Sequence, residues 1–259
     1  MPPSPTGWRG WTFDLHLAFA FLTRVPLPSL TARADGALAA GALTRAMRVF
    51  PVVGATIGVM GALIYGGAIG LALSPTLAAM AAIAAMVMLT GGMHEDGLAD
   101  SADGLGGRDR QRKLDIMRDS RTGTYGVLAL IFSVGLRAGA LAAMADPRRV
   151  LVALVVAGAM SRAAMPLAMS LNQPARTDGL GASAGSGKPG PTARIAVAGA
   201  GVLALAMVGT AGITVVVAMG VVTALLSGIA RRQIGGYTGD VLGAVGQVVE
   251  IAVLLVLAR

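Results

Sequence analysis

The chain contains no cysteine, which removes disulfides, thiolate metal sites and cysteine nucleophiles and leaves the redox compartment open. Histidine is almost as scarce: His16 and His94 are the only two, too few for a multi-histidine metal site. Aromatic residues make up 4% of the chain and charged residues 13%, so it has neither stacking platforms for nucleic acid nor the charged skin of a soluble domain. The first residues (Pro2, Pro3, Pro5, then an apolar run meeting Arg24) lack the pattern of a cleaved signal peptide, and insertion is expected to use the mature spans. Acidic residues number only 13, and seven of them (Glu95, Asp96, Asp100, Asp103, Asp109, Asp115, Asp119) fall between residues 94 and 122.

What is abundant is apolar: 55% of 259 residues, with 37 glycines and a mean hydropathy of +0.72. Such a chain can build six to eight membrane-spanning helices of about 20 residues each. The expected fold is all-α, a polytopic membrane helix bundle of about seven transmembrane helices in one integral membrane domain, residues 1–259. A short amino-terminal interfacial helix precedes them, because the run Leu15 to Leu22 is too short to cross. A small helix over 36–50 follows, and Pro51 restarts the chain. Spans are expected at about 52–73, 76–93, 124–145, 149–170 and 241–258, with two slightly short ones between Ile195 and Ala230 around a turn at Gly209 to Gly212. Gly54, Gly58 and Gly61 share one side of the first span, where small residues allow close helix approach.

The net charge is +8. With seven spans, 16 Lys and Arg fall on one side of the membrane and three (Arg148, Arg149, Arg259) on the other. The positive-inside rule places the acidic segment 94–122 and the island Gly235 to Asp240 together on the cytoplasmic face. Arg137, Arg162 and Glu250 each stand alone in an apolar run. An isolated arginine at depth costs on the order of 2.5–3.5 kcal/mol, so each should face the bundle interior beside an anionic partner, unless it snorkels to the interface.

If the stretch after Asp96 is helical, Asp96, Asp100 and Asp103 share one face within an arc of roughly 60°, with Glu95 to the side. Like charges so placed repel unless neutralised, and Mg²⁺, which takes oxygen ligands and bridges phosphates, is the expected cofactor. A solvated loop is the plainer alternative, although cytoplasmic loops favour Lys and Arg. Carboxylates beside Arg108, Arg110, Arg112, Arg118 and Arg121 suit a metal-assisted transfer of a phosphorylated group without a protein nucleophile. Gly185-Ser186-Gly187-Lys188 lacks the glycine spacing and preceding strand of a phosphate-binding loop.

Four segments resemble the cobalamin synthase family: Phe21 to Pro26, His94 to Gly104, Asp119 to Gly126 and Gly235 to Gly243. The resemblance implies an integral membrane, Mg²⁺-dependent adenosylcobinamide-GDP ribazoletransferase, which joins α-ribazole or its 5'-phosphate to adenosylcobinamide-GDP and releases GMP. The implied metal residues are Glu95, Asp96, Asp100 and Asp103, Glu95 on the resemblance alone. The expected catalytic set is Asp96, Asp100, Asp103, Arg121 and Asp240, and Arg24, Arg118, Ser120, Arg162, Thr238 and Glu250 are expected to bind substrate. Asp240 either joins the acidic segment in one site or simply caps the last helix. Expected partners are the two small-molecule substrates, the lipid bilayer and, for assembly, further copies or other corrinoid-assembly enzymes, with no nucleic acid. Two other readings stay open. A CDP-alcohol phosphotransferase has similar chemistry, but Asp100 breaks its Asp-Gly-x-x-Ala-Arg pattern; a secondary transporter would explain the buried charges, but no internal repeat is visible.

Overall fold

A computed structural model describes residues 8–27, 41–176 and 190–259. The Gly/Ser-rich stretch 182–189, with the Gly185 to Lys188 tetrapeptide, lies outside the described residues, as do 28–40 and therefore the first part of the 36–50 helix. Among the described residues all regular structure is helical, apart from one isolated bridge between Pro174 and Tyr237.

Helix α1 (Trp8–Leu22) is longer than its apolar run. It carries a buried Asp14 whose carboxylate is held by Arg45 at 3.0 Å and Arg48 at 2.8 Å, while the Arg48 guanidinium lies 3.7 Å above the Trp11 ring. These contacts fasten α1 to α2 (Ala42–Ala46), which passes through a 3₁₀ turn at Met47–Val49 into α3 (Phe50–Gly70). Pro51 occupies the first turn of α3, where its missing N–H has no partner to lose. Then come α4 (Pro75–Thr90), α5 (Met93–Leu105), α6 (Arg110–Ile116), α7 (Thr124–Met144) and α8 (Pro147–Leu171). The last three are α9 (Gly190–Val208), α10 (Ala211–Ile234) and α11 (Gly239–Leu257). Side chains cap several starts by accepting a backbone N–H: Ser74 from Leu77, Asp109 from Arg112 and Asp146 from Arg148.

Among the described residues six helical stretches are long and apolar enough to span a membrane, α2–α3, α7, α8, α9, α10 and α11, and a seventh is counted if α4 is taken together with α5, from which it is bent by 91°. Two ends of the bundle are distinct. The beginnings of α3, α5 and α11 meet the end of α8 at one, and the beginning of α8 meets the ends of α9 and α11 at the other. There Arg149 donates to the carbonyl of Arg259 at 3.2 Å. Because α3 ends at the second end and α5 begins at the first, α4 carries the chain back across, and the multi-pass helical fold is the one expected.

Several boundaries differ from the hydropathy pattern. The second crossing stops at Thr90 rather than running to 93, because Gly91 and Gly92 both adopt left-handed conformations (φ 68° and 71°) that turn the chain sideways. Helices α9 and α10 have 19 and 24 residues and are not short: helix continues through the charged residues Arg194, Arg231 and Arg232 that bound the apolar run. Helix α8 is the most buried span and packs between α3 and α11. A Cβ at Gly54 would overlap the Gly158 carbonyl, one at Gly158 the Gly54 carbonyl, and one at Gly58 the Leu154 carbonyl, so these glycines set the backbone contact between α3 and α8.

Candidate active site

The turn at Gly91 and Gly92 makes the site possible. It lays α5 across the acidic end of the bundle, out of the spanning direction, with Asp96 N–H bonded to the Gly92 carbonyl at 2.8 Å in the first turn. Opposite α5, the start of α11 is built by Gly235 (φ 82°), which ends α10, and by Tyr237, which exchanges backbone bonds with Gln173 (2.9 Å) and Ala175 (2.8 Å). Thr238 is the cap of α11, accepting from Val241 N at 3.2 Å, and its hydroxyl donates to Asp240 at 3.1 Å. Asp240 is therefore not the helix cap. The two elements touch at Gly97, where a Cβ would stand 2.8 Å from the Asp240 carbonyl oxygen.

Asp96, Asp100 and Asp240 thus share one polar patch. Asp96 is exposed and Asp100 half-buried, and neither carboxylate has a hydrogen-bond or ion-pair partner among the described residues. Burial raises the Asp100 carboxyl to about 7, and the negative charges of Asp96, Asp240 and Asp103 add to that rise. A patch of hard oxygen donors fits Mg²⁺, which commonly takes one or two carboxylates and completes its shell with water and substrate phosphates. No group of three or more His, Asp or Glu side chains is close enough to cage a metal by itself among the described residues.

The other two expected metal residues have hydrogen-bond partners of their own. Asp103 accepts from Gly123 N at 2.7 Å and Gly126 N at 2.9 Å, capping α7 from a different helix. Glu95 faces the bundle interior, where it accepts from Arg137 at 3.2 Å and Gln247 at 2.9 Å. Arg137 also reaches Glu250 at 3.3 Å, and Arg162 reaches the other Glu250 oxygen at 2.8 Å. The isolated charges of three spans therefore neutralise one another, two arginines against two glutamates, and tie α5 to α7, α8 and α11. Arg162 and Glu250 stand in this network at 2% and 1% exposure, bonded to each other.

Arg121 turns away from the carboxylates. It forms a bidentate pair with Asp119, at 2.7 Å for the shortest bond, and its side chain is 87% exposed. That hydrogen bonding holds Asp119 down to about 2. Arg118 and Ser120 are exposed on the same segment, and Arg24 lies along Gly91 at the α4–α5 turn. Arg110 is structural: it donates to the Ile234 and Ala175 carbonyls, both at 2.8 Å, and so ties α6 to the segment before α11. Thr238 acts through its cap and its bond to Asp240.

Sequence reasoning passed over a cavity of about 230 Å³ that opens beside Asp96 and Asp240 and is otherwise lined largely by methionine and phenylalanine. Its residues come from five separate parts of the chain, each reading as ordinary core. His94, buried on α5, also borders it.

A family profile described as cobalamin-5-phosphate synthase matches residues 14–258. A protein of Bradyrhizobium diazoefficiens named adenosylcobinamide-GDP ribazoletransferase is 49% identical over all of this chain and 98% of its own length. Proteins of the same name from Mesorhizobium japonicum and Azorhizobium caulinodans are 45% and 44% identical, over 94% and 93% of this chain and 92% and 94% of theirs. No solved structure matches. The matched range takes in α5, the α7 cap and the start of α11, and on that evidence the chain belongs to the cobalamin-5-phosphate synthase family.

Proposed function

We propose that this protein is a Mg²⁺-dependent adenosylcobinamide-GDP ribazoletransferase of the bacterial inner membrane, with its acidic end facing the cytoplasm. The observation that carries the reading is the pair of unpartnered carboxylates, Asp96 and Asp100, set on a helix bent out of the membrane direction and faced by Asp240, in a chain whose relatives share that name.

In the reaction, a ribose hydroxyl of α-ribazole or its 5'-phosphate forms a bond to the phosphorus carrying cobinamide. The phosphoanhydride bond breaks, GMP leaves, and the hydroxyl proton passes to a base. Asp96 and Asp100 would hold Mg²⁺, which when bound would supply a Lewis acid for the phosphate oxygens. The protein's own part is placement. Asp240, fixed by the Thr238 hydroxyl, lies at the cavity rim beside Asp96, where it can orient the acceptor hydroxyl and take its proton. Exposed Arg24 and Arg118 border this end and offer guanidinium groups to the diphosphate. The buried network behind Glu95 keeps the aspartate face of α5 turned outward.

The test is direct. Purified protein in lipid, given adenosylcobinamide-GDP, α-ribazole and Mg²⁺, should release GMP and form a cobalamin. Asp96→Asn and Asp100→Asn should each lower turnover about 10²-fold or more, as expected when a group that stabilises transition-state charge is lost, while the protein stays monodisperse. A folded wild-type protein that yields no product refutes the transfer reading, and near-normal turnover in both variants refutes the metal role of this face.

A further inference from the structure

The cavity beside Asp96 and Asp240 has an unusual lining for a site that handles phosphates. Phe21 from α1, Met47 from the 3₁₀ turn, Phe50 from α3, Met165 and Met169 from α8 and Leu242 from α11 surround it. Flexible thioethers beside aromatic rings make a surface that moulds itself to a flat apolar ring. At about 230 Å³ the space falls below the roughly 300–1,000 Å³ of pockets that bury a whole drug-sized ligand. It admits one ring system, and neither a corrinoid nor an entire nucleotide.

Of the two ring systems the reaction brings, guanine carries several donors and acceptors around its edge, and burying them among methionines leaves them unpaired. The base of α-ribazole is a dimethylated benzimidazole: apolar, uncharged, with a single free ring nitrogen that accepts a hydrogen bond. His94 stands behind this lining, 1% exposed, with both ring nitrogens closed off from the cavity and its ring edge towards Gly246 and the Ser161 carbonyl.

Resting on the function proposed above, we propose that this cavity receives the benzimidazole base of the acceptor nucleoside. The ribose is then left at the rim beside Asp96 and Asp240. The arrangement supplies both acceptor selectivity and aim: a buried base fixes where the ribose hydroxyls can stand, next to the carboxylates.

The test uses the full chain in lipid. Binding of radiolabelled α-ribazole and of adenosylcobinamide-GDP is measured separately by equilibrium dialysis for wild type and Met165→Trp. Met165→Trp, which fills the cavity, should weaken α-ribazole at least tenfold and change adenosylcobinamide-GDP less than twofold. Should Met165→Trp fail to fold, Met165→Ala should shift preference towards a nucleoside with a larger tricyclic base. Loss confined to adenosylcobinamide-GDP or equal loss of both ligands overturns the proposal, as does a tightly held lipid acyl chain that α-ribazole cannot displace. Wild-type protein that binds α-ribazole in this pattern but transfers nothing would refute the transferase reading and leave the pocket standing.

Discussion

A carboxyl that titrates near 7 holds a proton which any cation must displace. Asp100 is raised to about 7 by burial and by the charges of Asp96, Asp240 and Asp103. Above that pH its oxygens are free; below it they carry a proton, and metal affinity falls with each step into acid. The Mg²⁺ concentration giving half-maximal activity should therefore stay flat above about pH 7.5 and rise, approaching tenfold per pH unit, below about 6.5. Asp100→Asn should flatten that dependence along with its loss of turnover. A requirement independent of pH between 6 and 8 in wild type would separate Asp100 from the cation.

Among elements, α5 is the piece whose placement decides the site, and each of its faces is fixed by something different. Gly97 allows α11 to approach, Glu95 anchors the inner face to Arg137 and Gln247, and Asp103 caps α7 through two backbone N–H groups. Replacing a helix-capping side chain by alanine costs about 1 kcal/mol. Asp103→Ala should lower the thermal midpoint by a few degrees while leaving the Mg²⁺ requirement of the remaining activity unchanged. Unchanged stability with a displaced Mg²⁺ requirement would instead return Asp103 to the metal. Asp96, Asp100 and Asp103 stand on one short helix, and the last is close enough to the start of α7 to accept two of its backbone N–H groups.

For the whole molecule, most of the described basic residues lie with the aspartate patch at one end of the bundle, and Arg148, Arg149 and Arg259 mark the other. Positive charge in short loops is held in the cytoplasm. In this cysteine-free chain, a single cysteine placed at Asp109 should react with an impermeant thiol reagent only after the cell is opened. One placed at Arg148 should react in intact cells with a permeable outer envelope. The reverse pattern would invert the bundle and place the site outside.

The sequence alone determined much of this. Apolar runs bounded by charge count the crossings, because a bilayer rewards little else, and they are off by only a few residues where helix continues through Arg194 or Arg231. Lone Arg137 and Arg162 in such runs demanded anionic partners, which proved to be Glu95 and Glu250. The motifs carried the family. Only the tertiary structure decided which glutamate meets which arginine, that Arg121 spends its charge on Asp119, and that Asp240 stands against Gly97 while Thr238 does the capping. The cavity belongs to the same class. Phe21, Phe50, Met165 and Leu242 are far apart in the chain and each reads as core, because a void has no sequence signal of its own and exists only where separate elements fail to close over one another.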